Sequence, residues 1–438
     1  MRPRPPRVAL VATLLLVALP ALGEEKAPAF SVPFLQGRPF AELLKKARAE
    51  KKGVMVDVYA TWCGPCKLMD RTTFSDRAVG DWARKNVVAA KVDAEKGEGR
   101  RIAQRYMVGS FPTVLFLDAS GNELDRILGV YPPGPFVATA TATLAGTSPL
   151  QTAIQKLHKS WTPDEASQIA TLLAQRQDVA RLRPIVVRLV SEDASPETSY
   201  QLLTLLAALE DFGGRLSPET ADLVATVLPR IGNDPRRGAL AVFLGREQVR
   251  RGESAAAKAT ANAALAALGD SSPYAADLFA VVGAAERKAG RHDAAIAAFR
   301  KAVALVEAAN VPPSARGEKQ MDLAEALAGA GKADAAKTAL AAALERWPND
   351  PKAWTRAAHV SLGLKETSKA VEQARRAVAL TQGEDAGAQA ALGAALRASG
   401  DAAGSAAAWK RAQELEPDNP DYRRSTAGAA PKPAAKAS

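Results

Sequence analysis

Residues 54–67 read VMVDVYATWCGPCK and decide the fold of the first part of the chain. The β-branched, apolar run before the cysteines predicts a buried strand, and Pro65 suits the first turn of a helix. Cys63 would lie at the amino end of that helix, where the helix dipole and unpaired N–H groups stabilise a thiolate. Cys66, one turn further on, is close enough to attack a mixed disulfide at Cys63, and Gly64 contributes to the tight link between them. The spacing therefore indicates thiol–disulfide exchange.

Short apolar runs alternate with helical stretches on both sides of this motif. The pattern predicts strands at 54–60, 87–92, 113–117 and 124–130, and helices at 40–52, from 66 to about 70, at 102–106 and at 136–144. Strands that alternate with helices are typical of an α/β sheet. The sequence therefore predicts an α/β domain over residues 25–145.

The residues around the cysteines resemble the thioredoxin family, whose signature Trp-Cys-Gly-Pro-Cys stands at 62–66. The resemblance covers the whole predicted domain and implies a thioredoxin fold. It also implies that Asp57 is the family's buried catalytic acid, which helps to move a proton to or from Cys66. A carboxyl group in an apolar strand should have a raised pKa, in a range that suits this work.

The same resemblance implies a substrate-binding surface around the cysteines. Residues 110–113, Ser-Phe-Pro-Thr, match the cis-proline loop, in which the backbone of Phe111 would pair with an extended substrate segment. Gly129 matches the glycine of the last strand that lets the substrate approach. Trp62 would contact the substrate, with packing as its alternative role. The substrate-binding residues implied in this way are Trp62, Gly64, Pro65, Phe111, Pro112 and Gly129.

Residues 54–76, VMVDVYATWCGPCKLMDRTTFSD, look like the C-terminal thioredoxin-like domain of DsbD-type transmembrane reductases, an electron donor in the bacterial periplasm. In that subfamily a second acid follows the second cysteine by four residues, and Asp70 occupies this place as a secondary site residue. The alternative for Asp70 is a solvated helix residue. The Gly-Pro pair between the cysteines departs from the subfamily's usual pattern and is typical of thioredoxin itself, which favours a reductant.

Residues 1–23 have the pattern of a secretory signal peptide. Three arginines precede an apolar run, and small residues at 21 and 23 suit a cleavage site. The apolar run is shorter than the roughly 20 residues of a membrane span, although an uncleaved anchor is the alternative. We therefore expect a periplasmic or otherwise exported protein with no integral membrane segment after signal removal. Disulfide chemistry is permitted in such a compartment.

The β signals stop near residue 150, and alanine-rich helical stretches follow. The second half resembles the tetratricopeptide repeat, a helix–turn–helix unit of 34 residues. Over 238–424 the register gives five units, which start near 238, 276, 317, 351 and 386, with a small residue at the same place in each: Ala264, Ala302, Ala343, Ala377 and Ala412. The resemblance implies an all-α solenoid with a face that binds protein.

Two further segments flank these repeats. Residues 150–237 are helical by periodicity but fit no repeat register, so they are either degenerate repeats or a cap between the two parts. Residues 425–438, STAGAAPKPAAKAS, have the composition of a disordered tail.

Composition excludes several classes of function. The basic excess of 58 lysines and arginines over 47 acids is dispersed, without the aromatic-rich basic patch of RNA-recognition domains, so nucleic-acid binding is not expected. A structural zinc site takes four ligands, and the two cysteines and three distant histidines do not supply them. We therefore expect neither a metal nor another cofactor.

The sequence as a whole favours an exported thiol–disulfide oxidoreductase that reduces protein disulfides through the Cys63–Cys66 dithiol. The repeat region would recruit a protein partner, and an upstream electron donor would be needed. One alternative is a repeat-based binding scaffold with an accessory redox domain. Another is an oxidase or isomerase that uses the same residues. A third is that the two cysteines form an inert structural disulfide.

Overall fold

The computed structural model describes residues 31–193, 196–309, 311–417 and 419–429, so the expected signal at 1–23 lies outside the described residues. The first part of the described chain is a four-stranded sheet with helices on both faces. Its elements are α1 (Phe40–Glu50), β1 (Gly53–Tyr59), α2 (Gly64–Thr72), α3 (Arg77–Asn86), β2 (Val87–Asp93), α4 (Gly97–Arg105), β3 (Thr113–Leu117), β4 (Glu123–Leu128) and α5 (Pro133–Leu144).

The strand order is β2-β1-β3-β4, with β2 parallel to β1 and the other pairs antiparallel. Successive side chains of β1 point to opposite faces of the sheet, as in any β-strand. Val54 and Val56 pack against α1 and α4, whereas Met55 packs in a core with α2, α3 and α5. Asp57 is two residues beyond Met55, so it points to the same side as α2. The predicted α/β thioredoxin fold is confirmed.

Two local predictions differ from the structure. No helix is predicted from the sequence before β2, yet α3 forms there. The side chain of Asp76 accepts hydrogen bonds from the N–H groups of Ala78 and Val79 at its start. The predicted fourth strand extended to residue 130 but ends at Leu128. Gly129 has a φ of +75°, which is incompatible with continued extension of the strand.

A second group of helices covers the edge strand β4. These helices are α6 (Pro149–Lys159), α7 (Pro163–Gln175), α8 (Val179–Ser191), α9 (Pro196–Phe212) and α10 (Pro218–Val227). Arg176 donates to the buried carboxylate of Asp125 at 2.8 Å, and Arg181 donates to the carbonyl oxygen of Leu124 at 2.9 Å. An uncovered edge strand is a site of unwanted pairing, so these contacts protect the sheet.

Five helical hairpins and a final helix follow. The helices are α11 (Arg236–Arg250), α12 (Ser254–Leu268), α13 (Ala275–Lys288), α14 (His292–Ala308), α15 (Pro313–Gly329), α16 (Ala333–Arg346), α17 (Pro351–Gly363), α18 (Thr367–Leu380), α19 (Ala386–Ser399), α20 (Ala402–Leu415) and α21 (Pro420–Ala429). The five alanines that share a repeat position are all buried where helices cross. The predicted all-α solenoid after the α/β domain is confirmed.

The segment at 150–237 shares its core with the first hairpins, since one apolar cluster extends without interruption from Leu150 to Ala285. It therefore joins the sheet domain to the solenoid. At the other end, α21 occupies the start of the expected tail, and residues 430–438 lie outside the described residues.

The last hairpin also contacts the α/β domain. Arg100 of α4 donates to the carboxylate of Asp385 at 2.8 Å, and Arg101 donates to the carbonyl oxygen of Leu415 at 3.3 Å. The helical region thus contacts the sheet domain near its beginning and again near its end. Within the described ranges, no helix is both long enough and apolar enough to cross a membrane.

Candidate redox site

The two cysteines lie where β1 passes into α2, and they form a disulfide with a Cα–Cα distance of 5.3 Å. Cys63 is the N-cap of α2, and its Sγ accepts a hydrogen bond from the N–H of Cys66 at 3.2 Å. Pro65 fits the first turn because it needs no hydrogen-bond acceptor there. The partial positive charge of a helix amino end stabilises a thiolate at this place.

The residues beside the cysteines are exposed, whereas both sulfur-bearing side chains are buried. Trp62 is 66% exposed, and its Nε1 donates to Oε1 of Glu95 at 2.9 Å. Such exposure does not fit the alternative that Trp62 is a packing residue. Gly64 and Pro65 are also exposed. The residues of the motif next to the disulfide are therefore accessible to another protein.

A second loop faces the disulfide. The Phe111–Pro112 peptide bond is cis, and Phe111 packs against the cluster of Ala60 and the two cysteines. Its ring lies 6.1 Å from that of Trp62 in an edge-to-face arrangement. The N–H of Gly129 donates to the carbonyl oxygen of Pro112 at 2.9 Å, which ties the end of β4 to this loop. The structure therefore brings together all the residues that the sequence implied for substrate binding.

In the same domain, one buried lysine bridges two carboxyl groups. The ammonium group of Lys91, which is 5% exposed, contacts Oδ2 of Asp57 and donates to Oδ1 of Asp70 at 2.8 Å. It also lies 4.3 Å from the centroid of the Tyr59 ring. Asp70 is one helical turn after Cys66 on α2, so these two residues share a helix face. Lys91 therefore joins both predicted acids in one charged cluster.

The protein environment shifts the pKa values of Asp57 and Lys91 in this cluster. Burial raises the pKa of Asp57 to about 6, against the opposing attraction of Lys91. Burial opposes the charge of Lys91 as well, but the attraction of Asp57 and Asp70 outweighs it and raises the pKa of Lys91. Oδ1 of Asp57 is buried and has no hydrogen-bond partner within the described part of the chain. This oxygen can therefore accept a proton near neutral pH while Lys91 stays charged.

Sequence reasoning missed Lys91 and Glu95. The signal for Lys91 is a single lysine in the apolar run of β2, and the parallel register places it directly opposite Asp57. Glu95 lies in the loop after β2 and carries no motif of its own.

Comparisons with known proteins divide the chain in the same way. Residues 40–142 match the family model of the thioredoxin-like domain, and residues 318–360 match that of the tetratricopeptide repeat. The thiol:disulfide interchange protein DsbD of Pseudoalteromonas atlantica is 36% identical over 105 residues, which are 23% of this chain and 18% of that protein. DsbD of Yersinia pestis is 36% identical over 94 residues, or 21% of this chain and 16% of the relative. The chain therefore spans less than a fifth of these curated relatives.

Solved structures resemble each part separately. A tetratricopeptide repeat protein from Parabacteroides merdae superposes with a TM-score of 0.48 at 14% identity, covering 61% of this chain and 98% of that one. A thioredoxin from Thermus thermophilus superposes with a TM-score of 0.25 at 26% identity, covering 29% of this chain and 96% of that one.

Proposed function

Because the chain joins a thioredoxin-like domain to a tetratricopeptide-repeat region, we propose that it is a thiol–disulfide oxidoreductase that reduces disulfides of other proteins. The observation that carries the proposal is the Cys63–Cys66 disulfide at the amino end of α2, with exposed Trp62 on its border and the cis-Pro112 loop opposite. An inert structural disulfide needs neither this border nor a buried acid cluster.

The reduction proceeds in two exchanges. The Cys63 thiolate attacks one sulfur of the substrate disulfide, forming a mixed disulfide and releasing the other substrate sulfur as a thiolate. The Cys66 thiol then loses its proton and attacks Sγ of Cys63, which forms the Cys63–Cys66 disulfide and releases the second substrate sulfur. Two electrons have passed to the substrate, so a dithiol donor must reduce the enzyme again.

Asp57 supplies the base for the second exchange in this proposal. With a pKa raised to about 6, it is largely ionised at pH 7 and can take the proton of Cys66. Lys91 keeps the charge of the cluster balanced during the transfer. The ion pairs that join Asp57 through Lys91 to Asp70 of α2 support this role.

Cysteine variants test the chemistry directly. We expect that the Cys63→Ser variant no longer catalyses the reduction of insulin disulfides by dithiothreitol, since the nucleophile is lost. We expect Cys66→Ser to accumulate mixed disulfides, since the resolving thiol is lost. Substantial turnover by either variant would contradict the proposal.

The midpoint potential decides the direction. Gly64 and Pro65 between the cysteines favour a value near that of thioredoxin, about −270 mV, rather than that of a strong oxidant at about −120 mV. Equilibration with glutathione buffers measures it. A value near the second figure would support the oxidase or isomerase alternative.

We propose further that the solenoid recruits a protein partner. The first helices of successive hairpins are joined by ion pairs, with Asp277 of α13 contacting Arg246 of α11 at 3.1 Å and Lys319 of α15 at 2.8 Å. Stacked hairpins of this kind form extended binding surfaces. The test is whether a partner protein binds saturably to the full chain when both cysteines are changed to serine. A partner that binds only the cysteine-containing chain is a substrate, and its behaviour would contradict a separate recruiting surface.

Export to the periplasm is part of the same proposal. The signal pattern at 1–23 and the similarity to DsbD support it. Cell fractionation with amino-terminal sequencing of the mature protein is the test, and we expect the mature chain to begin after Gly23. Recovery of the intact chain in the cytoplasm would contradict it.

A further inference from the structure

We propose that Gln177, a residue of the helical region, positions the cis-proline loop and so sets the affinity for protein substrates. The inference rests on the proposed function, because it concerns the loop expected to bind the substrate backbone. It assigns part of the substrate site to a residue outside the thioredoxin-like domain.

The contact is a hydrogen bond between distant segments of the chain. Oε1 of Gln177 accepts from the backbone N–H of Gly109 at 2.8 Å. Gly109 is two residues before Phe111, whose side chain packs against the disulfide cluster. The bond therefore holds the backbone immediately before the cis peptide bond.

The fit around this bond is close. A Cβ atom on Gly109 would lie 2.8 Å from Oε1 and 3.1 Å from Nε2 of Gln177, so the amide occupies the space that a larger residue would need. Gln177 itself has a left-handed backbone conformation with φ +57°, in the turn between α7 and α8. Non-glycine residues adopt this conformation at a cost.

Contacts of the residues next to Gln177 hold the turn between α7 and α8 in place. Arg176 binds Asp125 of β4, and Asp178, which is 2% exposed, caps α8 by accepting from the N–H of Arg181. The residues on both sides of Gln177 are thus anchored, one of them to the same sheet that carries the loop. The amide of Gln177 is consequently presented to Gly109 from a fixed position.

A second helix supports the same segment. Gly213, just after α9, packs so closely on Met107 that a Cβ atom there would lie 2.6 Å from its Sδ and Cε atoms. Helical-region residues therefore contact the loop at both Met107 and Gly109. Holding the loop in one conformation before binding reduces the entropy that the substrate must overcome.

This position predicts a selective kinetic effect. Gln177 bonds to the loop, whereas the cysteines lie at the start of α2. Loss of the Gln177 amide should therefore weaken substrate binding without changing the exchange chemistry. The loss of one hydrogen bond corresponds to a factor of about three to ten in affinity.

The experiment compares Gln177→Met, which keeps the length but removes the acceptor, with Gln177→Glu, which keeps an acceptor. Gln175→Met is the matched control, since Gln175 is an exposed glutamine at the end of α7. We expect Gln177→Met to raise KM for a protein disulfide substrate by about three- to tenfold. We expect unchanged kcat, midpoint potential and rate with a small disulfide such as cystine. Gln177→Glu and Gln175→Met should match the wild type.

An unchanged KM in Gln177→Met would overturn the inference, and so would equal losses with the small disulfide. Hydrogen exchange gives a readout that does not need activity: the Gly109 amide should exchange at least threefold faster in Gln177→Met. Gly109→Ala, which displaces the glutamine amide, should reproduce both effects if Gln177→Met folds poorly. If the wild type reduces no disulfide, the proposed function fails, and unchanged exchange at Gly109 would separately overturn the positioning role.

Discussion

At the scale of single residues, the burial of Asp57 makes the stability of the redox domain depend on pH. Asp57 binds its proton more tightly in the folded than in the unfolded chain, because its pKa of about 6 exceeds the ordinary 3.8. The unfolded state therefore holds fewer protons between these values, and stability falls as the pH rises from about 4 to about 6. At 1.36 kcal/mol per pKa unit, the decrease is about 3 kcal/mol.

Asp57→Asn should remove this decrease. We expect the protection factors of the β1 amides in hydrogen exchange to fall between pH 4 and pH 7 in the wild type and to stay nearly constant in the variant. The variant should also turn over disulfides about 10–100 times more slowly, as expected when a general base is lost. Asp81→Asn, at an exposed position of α3, is the control. Parallel pH profiles for wild type and Asp57→Asn would show that Asp57 has no proton to exchange.

Lys91→Met tests the cation of the cluster. The variant removes the positive charge between Asp57 and Asp70, so the pKa of Asp57 should rise further. The pH at which the exchange rate reaches half its maximum should therefore increase. The fold should lose about 3 kcal/mol at pH 7, since one partner of a buried ion pair is removed, and less at pH 4, where Asp57 is protonated in both proteins. Lys67→Met, at an exposed position of α2, is the control. A pH profile that does not move would show that Lys91 does not tune Asp57.

The residues predicted from sequence were those with a local signature. Cys63 and Cys66 follow from their spacing, and Asp57 follows from the resemblance of the preceding strand to the thioredoxin family. Lys91 and Gln177 lack such a signature, because their roles depend on strand register and on the docking of a distant turn. Tertiary contacts of this kind have no period or spacing that a single sequence displays.

At the scale of elements, close helix crossings hold the solenoid together. Gly283 of α13 lies under the ring of Phe299 in α14, and a Cβ atom there would be 2.9 Å from three ring atoms. Gly329, at the end of α15, has no atom within 4 Å of the same position. Two glycine-to-alanine changes in helices should therefore have opposite effects.

We expect Gly283→Ala to destabilise the chain by about 1–3 kcal/mol through overpacking. Gly329→Ala should stabilise it by up to about 1 kcal/mol, because alanine favours the helix. Thermal unfolding of both variants is the measurement. A Gly283→Ala variant as stable as the wild type would mean that the two helices separate easily at this crossing.

The elements were predicted where the pattern is long or repeated. The repeat period located five hairpins, and the apolar runs located all four strands of the sheet. Helix α3 was missed because half of its ten residues, RAVGDWARKN, are polar or charged and only three are buried. The segment at 150–237 fits no repeat period, and its core is continuous with that of the first hairpins.

At the scale of the whole molecule, the helical region holds the sheet domain at two places of unequal strength. The contacts of Arg176 and Arg181 with β4 involve the buried Asp125. The ion pair of Arg100 with Asp385 is partly exposed, at 29% and 36% of the two side chains. Exposed pairs contribute at most about 1 kcal/mol, so the second attachment should open more readily.

Arg100→Gln should loosen the last hairpin on α4, because it leaves the longer bond from Arg101 to the carbonyl oxygen of Leu415, at 3.3 Å, without the ion pair. We expect a larger radius of gyration in small-angle X-ray scattering and a loss of stability below about 1 kcal/mol. Lys410→Gln, at an exposed position of α20, should change neither quantity. Identical scattering from Arg100→Gln and the wild type would show that other contacts hold this end.

The two attachments also restrict how this array can grow or shrink. A linear array of repeats can lose one unit and still stack, because each unit contacts only its neighbours. Here Asp385 must reach Arg100 of the α/β domain, which lies 285 residues earlier in the chain. Deletion of the hairpin α17–α18 would preserve the stacking but move Asp385 by the length and rotation of one unit. The contact with α4 therefore requires this number of hairpins, whereas the stacking itself does not.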